Sequence, residues 1–300
     1  MSMPNLDTSA VSKVLGKIVE YPDQYDPSIL VRELRSSNRK HINLEHTPMV
    51  GSDTWNCWEV STLTTTGVPV SAILKIVYPS TNEYIVESKS LKLYLNSFNM
   101  FKCASTVTDT LEFIKTTVMR DLSVFLETPV VVSVWHANAL NGKQIPYVNH
   151  SFATLESVLD TSSITVDTYT ETPSLLQGKP TAFDIQKYYH SSLLRSRCKV
   201  THQPDFGDVY ISMTSRFEVD EVSLLKYICS FRNENHFHEE ICETIYSRLM
   251  EKFNPTLLVV KCLYTRRGGI DICPIRANRP EFLDVVLTSS HFSHEKTTRQ

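Results

Sequence analysis

Residues 195–205 bring a cysteine, three cations and an acid close together in the sequence. Arg195, Arg197 and Lys199 flank Cys198, and cations near a thiol favour the reactive thiolate. Asp205 follows across an irregular stretch broken by proline and glycine. It could therefore face the same cavity as the thiol and transfer a proton. A buried strand cysteine among exposed charges would show the same pattern, so the segment alone leaves both interpretations open.

Two further segments begin predicted helices and carry side chains that suit ligand binding. Glu87-Ser88-Lys89 opens the first; the free N–H groups of a helix N-terminus bind anions, and Lys89 would add charge for a phosphate. His238-Glu239 opens the second, where an ionised Glu239 could accept two hydrogen bonds from an amidine edge such as that of guanine. Both segments equally fit ordinary helix starts, because polar caps and acidic first turns are common.

A basic turn, Arg266-Arg267-Gly268-Gly269, is the third candidate for ligand binding. Its guanidinium groups and a close backbone approach could hold a phosphate. An exposed hairpin tip of this composition would need no function. Since Lys89 and Arg267 come from different halves of the chain, together they could bind the phosphates of one cofactor.

Two pairs of metal-ligand residues are spaced by four positions, Cys198 with His202 and His238 with Cys242. Zinc accepts such ligands, and the second pair would share one helix face. Neither pair has the tight spacing of a structural zinc site, so we predict that the protein binds no metal.

The composition of the 300-residue chain is that of a globular protein, with 41% hydrophobic and 21% charged residues. A formal net charge of −3 and a pI near 6.4 argue against a protein that coats nucleic acid. No apolar run has the length of a membrane span, and no signal-peptide pattern opens the chain. The seven cysteines are odd in number and form no C-x-x-C pair. These features favour a reduced, cytoplasmic protein.

Hydrophobic periodicity predicts an α+β chain, and the absence of a G-x-G-x-x-G motif argues against a Rossmann domain. The predicted strands cover residues 54–63, 70–78, 130–135, 209–213, 257–264 and 270–272. The predicted helices cover residues 106–126 and about 220–231, with a further helix ending near Phe253.

An internal repeat indicates that two similar units were fused. Ser90-Leu91-x-x-Tyr94-x-x-Ser97-Phe98 recurs with the same spacing as Ser223-Leu224-x-x-Tyr227-x-x-Ser230-Phe231. We therefore expect two ββααββ units, each an antiparallel sheet with a helix pair on one face. The expected limits are 1–160 for the N-terminal unit, 161–180 for a linker rich in Ser, Thr and Pro, and 181–300 for the unit that contains Cys198.

Taken together, these segments resemble the long, tandem form of the 7-cyano-7-deazaguanine reductase family (QueF). The match spans nearly the whole chain and departs from the family at two positions, with Phe206 where Trp is common and Lys199 where Pro is frequent. Four motifs carry it: Glu87-Ser88-Lys89-Ser90-Leu91-Lys92-Leu93-Tyr94, Cys198-x-x-Thr201-x-Gln203-Pro204-Asp205-x-Gly207, Ser230-Phe231-Arg232-Asn233-x-Asn235-x-Phe237-His238-Glu239 and Tyr264-Thr265-Arg266-Arg267-Gly268-Gly269-Ile270-Asp271.

The resemblance implies a tandem tunnelling fold and an NADPH-dependent reduction of the nitrile of 7-cyano-7-deazaguanine, in the synthesis of the queuosine base of transfer RNA. It implies a thioimide intermediate, without a metal. By position, Cys198 resembles the nucleophile and Asp205 the proton donor, for which the pKa of Asp205 would have to rise. The remaining implied site residues are Glu87, Ser88, His238 and Glu239 for the base, and Ser88, Lys89, Arg267 and Gly268 for NADPH.

Two other classes of function stay open at the level of the sequence. One is a zinc-dependent hydrolase of the tunnelling fold, similar to GTP cyclohydrolase, with the metal on Cys198, His202 or His238. The other is a purine-binding module that retains Glu239 without catalysis. Whichever function applies, the edges of the predicted sheets must be covered. We therefore expect a homodimer joined edge to edge, and no direct contact with nucleic acid or membrane.

Overall fold

The N-terminal half builds a long hairpin followed by two helices and a further strand. A computed structural model describes residues 24–44, 46–136 and 152–283. In the N-terminal half its elements are β1 (Arg32–Leu34), α1 (Arg35–His41), β2 (Val50–Thr64), β3 (Pro69–Pro79), β4 (Tyr84–Val86), α2 (Ser88–Asn96), β5 (Lys102–Ala104), α3 (Val107–Phe125) and β6 (Val131–His136).

The C-terminal half repeats the order of two long strands and two helices, and then adds two more strands. Its elements are β7 (Ala153–Thr154), α4 (Leu155–Val158), β8 (Gly178–Cys198), β9 (Pro204–Val219), α5 (Glu221–Ser230), β10 (Asn235–His236), α6 (His238–Phe253), β11 (Leu257–Tyr264) and β12 (Ile270–Ala277). The second closing strand expected for the N-terminal half would follow β6. The residues directly after β6 lie outside the described part of the chain.

The predicted helix starts are confirmed by their capping bonds. Thr106 precedes α3, and its hydroxyl accepts a hydrogen bond from the backbone N–H of Asp109 at 3.1 Å. Asp220 precedes α5, and its carboxylate accepts one from the N–H of Ser223 at 2.8 Å. Such caps satisfy N–H groups that have no partner within the helix. The described residues form both helices and strands, so the mixed α+β class predicted from the sequence is correct.

Ten strands of the described chain form one continuous sheet, in which the two halves are joined by a pair of strands. The central order is β10-β8-β9-β11-β12-β2-β3-β6, while β5 pairs with β2 and β7 with β8. Strand β12 runs antiparallel to β2, from Ile270 opposite Cys57 to Ala277 opposite Val50. We call this β2·β12 pairing the joint between the halves. Strands β1 and β4 form a separate two-stranded sheet.

Each half has its own hydrophobic core, and both cores lie on the same face of the sheet. In the C-terminal half α5 and α6 pack over β9 and β11, with Val260 buried between them. In the N-terminal half α2 and α3 pack over β2 and β3, together with Ile272. Val260 is opposite Arg276 on β12, and strand residues two apart share a face. Ile272 therefore points to the same side as Val260.

The two copies of the repeated motif occupy equivalent positions at the starts of α2 and α5. The Ser90 hydroxyl accepts a bond from Val31 N–H at 2.9 Å and donates one to the Glu87 carbonyl at 2.8 Å. The Ser223 hydroxyl accepts from Gln177 N–H at 3.0 Å and donates to the Asp220 carbonyl at 2.7 Å. This equivalence favours the fusion of two related units.

Several elements depart from the sequence-based expectations: β9 and β12 are longer than predicted, α4 was not predicted, and α1 and β8 differ most. Helix α1 was not predicted, because the sequence Arg-Ser-Ser-Asn-Arg-Lys-His has no apolar periodicity. Strand β8 begins at Gly178, inside the predicted linker, and extends over 21 residues, many of them exposed. The domain limits themselves stay a prediction. None of the described helices is both long and apolar enough to cross a membrane.

Candidate active site

A cavity of about 310 Å³ lies over the joint between the halves. Trp55 of β2 and Ile272 of β12 contribute to its floor, and the N-termini of α2 and α6 reach it from opposite halves. The nine residues to which the family resemblance gives a role all line this cavity: Glu87, Ser88, Lys89, Cys198, Asp205, His238, Glu239, Arg267 and Gly268.

Cys198 is the last residue of β8 and lies beside β10, where it is opposite His236. Its backbone N–H donates to the Gln203 carbonyl at 2.8 Å, and its carbonyl accepts from His202 N–H at 2.9 Å. His202 has a left-handed backbone with φ of 57°. This tight turn fixes the position of the thiol, which is partly exposed to the cavity.

The cations that flank Cys198 in the sequence are bonded to other groups. Arg195 donates to the carbonyl of Arg232, and Arg197 Nη2 donates to the side chain of Asn233 at 2.8 Å. Lys199 Nζ lies 2.8 Å from the buried carboxylate of Glu240. These contacts give no support to the expectation that the three cations activate the thiol.

Asp205 is the second residue of β9 and is only 4% exposed. One carboxylate oxygen lies 3.5 Å from His238 Nε2, and the other accepts a hydrogen bond from Arg267. Burial acts to raise the pKa of Asp205, but His238 and Arg267 together hold that pKa below its usual value. The expectation that the pKa of Asp205 is raised is therefore wrong for the protein without substrate.

His238 is the first residue of α6 and is held by stacking. Its ring lies against that of Tyr264, with centroids 3.8 Å apart and planes inclined by 9°. Its Nδ1 atom is buried and has no hydrogen-bond partner among the described residues. The ring is thus fixed in orientation and leaves one nitrogen for a ligand or a solvent molecule.

Glu239 is 2% exposed, and its Oε1 atom has no hydrogen-bond partner among the described residues. Burial, and after it the negative charge of Asp53, raises the pKa of Glu239 to about 8. A buried polar atom without a partner is costly, so this oxygen is placed to receive a donor from a ligand.

Glu87 lines the cavity, but its carboxylate caps helix α2. The two oxygens accept hydrogen bonds from the backbone N–H groups of Lys89 at 3.0 Å and Ser90 at 2.6 Å. Ser88, the first residue of α2, is exposed. The roles of Glu87 and Ser88 in holding a base stay predictions.

The mouth of the cavity carries the cations Lys89, Lys92 and Arg267 beside Gly268. Gly268 has φ of 58°, and a Cβ atom there would lie 2.8 Å from Lys92 Nζ. The left-handed backbone favours glycine at this position. The set fits the phosphates of NADPH, because guanidinium, ammonium and a backbone without Cβ all bind such anions. Lys92 was not assigned a role from the sequence, although it follows Lys89 at helical spacing.

A buried ionic network lies behind Glu239 and connects the two halves. Asp53 of β2 accepts bonds from Arg35 at 2.5 Å and from Arg276 at 2.8 Å. Arg276 also contacts Glu243 of α6 at 2.8 Å. All four side chains are at most 4% exposed. Sequence reasoning missed them, since a charged residue is normally expected at the surface.

The residues of the zinc alternative do not converge. Among the described residues no three His, Cys, Asp or Glu side chains form a group that could hold a metal. Cys242 is buried in the core, where its thiol contacts the carbonyl of Val260 at 3.5 Å. The His202 ring lies 2.8 Å from the Asn235 side chain. That the protein uses no metal stays a prediction.

Comparison with known proteins gives matches to two family models and to a solved structure. The family model "Nitrile reductase, 7-cyano-7-deazaguanine-reductase N-term" matches residues 21–134, and the model "QueF-like protein" matches residues 204–281. Among solved structures, the archaeosine synthase QueF-Like in its apo form matches with 16% identity and a TM-score of 0.29. It covers 33% of this chain and 97% of its own.

Curated relatives match over most of their length. The NADPH-dependent 7-cyano-7-deazaguanine reductase of Coxiella burnetii is 38% identical over 273 residues, which cover 89% of this chain and 92% of the relative. The enzyme of the same name from Aromatoleum aromaticum is 38% identical and covers 90% of this chain and 92% of its own. The chain therefore belongs to the family of NADPH-dependent 7-cyano-7-deazaguanine reductases, QueF.

Proposed function

We propose that this protein reduces the nitrile of 7-cyano-7-deazaguanine to the aminomethyl group with NADPH, a step in making queuosine for transfer RNA. One observation carries the proposal. The buried carboxylate of Glu239, whose Oε1 has no hydrogen-bond partner in the described part of the chain, shares a cavity of about 310 Å³ with Cys198 and Asp205. A guanine-like base needs a carboxylate that accepts hydrogen bonds from its N–H groups. Covalent addition to a nitrile needs a thiol and a group that transfers a proton.

Recognition of the base rests mainly on Glu239. An ionised carboxylate accepts two parallel hydrogen bonds from an amidine edge. His238 is adjacent, and its fixed ring has one nitrogen free of partners among the described residues. Glu87 and Ser88 complete the set that the family resemblance suggests. Both residues line the cavity at the start of α2, in the half of the chain opposite to Glu239.

The first chemical step is addition of the Cys198 thiol to the nitrile carbon. The new S–C bond forms as one π bond of the nitrile breaks, and the thiol proton ends on the nitrogen. Asp205 is held as a carboxylate by His238 and Arg267. It can therefore accept the proton from sulfur and pass it to nitrogen, which gives a neutral thioimide. In this scheme Asp205 serves first as the base and then as the proton donor.

Reduction then converts the thioimide carbon to the amine carbon. Two molecules of NADPH, bound one after the other, would each supply one hydride, and Ser88, Lys89, Arg267 and Gly268 would hold the cofactor. Asp205 and His238 deliver the matching protons to the substrate nitrogen. Cys198 leaves as the thiol after the first reduction, so the second acts on a free imine. Splitting the reaction around a covalent intermediate replaces one difficult step by two easier ones.

The finer architecture is part of the same proposal. Two tunnelling-fold units, residues 1–160 and 181–300, are joined by the segment 161–180, and two chains associate edge to edge in the cytoplasm. Strand β6 supports this, since it ends the sheet and has only β3 as a strand neighbour among the described residues. Exposed edges of this kind are normally covered. Sedimentation equilibrium tests the association, and a fully active monomer would contradict it.

Mass spectrometry of the covalent adduct tests the chemistry. Without NADPH the reaction stalls at the thioimide, so protein mixed with the nitrile gains the full mass of the nitrile. Peptide mapping should place the adduct on Cys198. Cys198→Ala abolishes adduct and turnover, whereas Cys229→Ala, a partly buried thiol outside the cavity lining, keeps both.

Two results would refute the proposal. Either no adduct forms in the wild-type protein, or it forms on another cysteine. A zinc hydrolase would not retain the mass of the nitrile. A purine-binding module would bind the base and consume no NADPH.

A further inference from the structure

Arg267 is partly exposed to solvent, and its guanidinium group also contacts the carboxylate of Asp205. One guanidinium nitrogen donates to a carboxylate oxygen of Asp205, and Nη2 donates to the Gln203 side chain at 2.7 Å. The Arg267 side chain is 40% exposed, whereas that of Asp205 is 4% exposed. Arg267 thus covers the acid from the side of the cavity mouth.

The turn that carries Arg267 is fixed relative to Asp205. Arg267 N–H donates to the Ile270 carbonyl at 2.9 Å, which closes the turn. On the preceding side, Thr265 N–H donates to the Phe206 carbonyl at 2.9 Å. Since Phe206 is the neighbour of Asp205, the cation and the acid are held together by the backbone as well as by their side chains.

Both oxygens of the Asp205 carboxylate therefore face a donor, Arg267 on one side and His238 on the other. Donors of this kind favour the ionised form of a carboxylate. The base required for the addition of Cys198 to the nitrile is such an ionised carboxylate. A role in holding a cofactor phosphate does not by itself require this contact with Asp205.

We propose that Arg267 is a positioning residue for the covalent step, in which it keeps Asp205 ionised and oriented to take the proton of Cys198. The inference rests on the proposed function and deepens it. Arg267 acts before NADPH is needed, so its loss changes adduct formation itself. Contact with a cofactor phosphate later in the cycle would loosen its hold on Asp205 and leave the acid free to carry a proton.

The sign of the expected effect follows from the protonation of Asp205. Without the Arg267 charge the carboxylate takes up a proton at higher pH than in the wild type, which leaves less base at acidic pH. The rate of adduct formation should then fall as the pH is lowered, over a range in which the wild-type rate changes little. If Asp205 instead acted from the start as a proton donor, the same variant would react faster at acidic pH.

The experiment measures the rate of adduct formation by mass spectrometry, without NADPH, between about pH 5 and about pH 8. Arg267→Gln should form the adduct about tenfold more slowly at the acidic end, with a smaller loss at the basic end. Arg267→Lys, which keeps the charge, should restore part of the rate. Arg266→Gln is the matched control, because Arg266 stacks on Trp58 at 3.8 Å and does not line the cavity.

Three results would overturn the inference: a pH profile of Arg267→Gln that coincides with the wild type, a faster reaction at acidic pH, or no rescue by Arg267→Lys. Urea unfolding of each variant separates these results from a loss of fold. Failure of the inference is distinct from failure of the proposed function. A wild-type protein that forms no adduct refutes both, whereas a normal adduct with an unchanged Arg267→Gln profile refutes the inference alone.

Discussion

Glu239 is the residue whose burial matters most for recognition of the base. Its pKa is raised to about 8, by burial first and by the charge of Asp53 second. Near neutral pH the free protein therefore holds this side chain largely protonated, while the two N–H donors of the base require the carboxylate. Binding must then release a proton, so the affinity depends on pH.

We predict that affinity for the nitrile rises with pH up to about 8 and is constant above that value. Calorimetry in buffers of different ionisation enthalpy measures both the affinity and the released proton. Glu239→Gln removes the pH dependence, and Glu239→Ala weakens binding by about 1–3 kcal/mol, the usual cost of unpaired polar groups. Unchanged binding by Glu239→Ala would show that another residue holds the base.

Lys89 gives the cleanest test of the cofactor site. Lys89→Ala should raise the KM for NADPH while the rate of adduct formation stays that of the wild type, because no hydrogen bond of its side chain reaches Asp205. Steady-state kinetics and the cofactor-free adduct assay measure the two effects. A double variant that includes Arg267 would confound them, since Arg267 contacts the acid. Slower adduct formation in Lys89→Ala would contradict this assignment.

Residue types, spacing and the family resemblance identified nine of the residues that line the cavity. They did not identify the contacts between these residues. Cys198 and Asp205 lie near each other in the sequence, and a strand followed by a tight turn brings such residues together. The sequence could not show that Lys199 pairs with Glu240, or that Arg267 pairs with Asp205. Those partners lie on distant elements, and only the tertiary fold decides which charges meet.

The starts of α2 and α5 show how one local device stabilises both halves. Ser90 and Ser223 each receive a hydrogen bond from a segment distant in the chain and return one to the residue before their helix. Ser90 is fully buried, and Ser223 is 8% exposed. Each serine thereby holds an incoming segment against a helix N-terminus.

We predict that Ser90→Ala and Ser223→Ala each lower the free energy of unfolding by about 1 kcal/mol, because the partly buried hydrogen bonds from Val31 N–H and Gln177 N–H lose their acceptor. Urea denaturation measures the loss. Ser37→Ala, at an exposed position of α1, is the control and should change stability by less than about 0.5 kcal/mol. A clear loss in only one copy would indicate that the two motifs are not equivalent.

Elements with strong periodicity were predicted well, and those without it were not. Helix α3 and strand β11 follow from regular apolar spacing and appear at nearly the predicted bounds. Helix α1 presents Arg35 and Asn38 to the protein interior. Its polar sequence therefore gave no signal. Most of the first residues of β8 are exposed, which removes the alternation that marks a strand.

At the scale of the whole molecule, the ionic network around Arg276 holds the two halves together. Arg276→Met removes one of the two cations that pair with Asp53 and with Glu243, and leaves only Arg35 for the first and Arg39 for the second. It should destabilise the fold by about 3 kcal/mol. Urea denaturation measures this loss. The double variant Arg276→Met with Glu243→Gln removes the negative charge of Glu243 together with its partner. Its loss in free energy of unfolding should therefore be smaller than the sum of the losses of the two single variants. Additive effects would mean that the two residues do not interact.

The same network predicts how the free energy of unfolding depends on pH. Burial alone would raise the pKa of Glu243, but Arg276 and Arg39 lower it from 4.5 to about 2. A lowered pKa in the folded state stabilises the fold above pH 4.5, and this contribution is lost as the pH falls toward about 2. Urea midpoints of the wild type and Glu243→Gln should therefore converge on acidification. A constant difference between them would contradict the ionised pair.

The arrangement of the halves could not be predicted from local patterns. A repeat in the sequence indicates two units, yet it does not say which strand of one unit pairs with which strand of the other. The register of β12 on β2 depends on side chains from both halves, such as Ile272 opposite Trp55. No window of sequence contains both partners.

The joint between the halves also sets the order in which the chain can fold. Asn56 and Asp271, which face each other across it, are 215 positions apart in the chain. Contacts of such long separation form slowly, because a large loop must close before they contribute. Most of each hydrophobic core can assemble earlier from its own half, since only Ile270 and Ile272 of β12 join the described N-terminal core from the other half. Since the cavity lies over the joint, the ability to bind the nitrile is the last property that a refolding chain acquires.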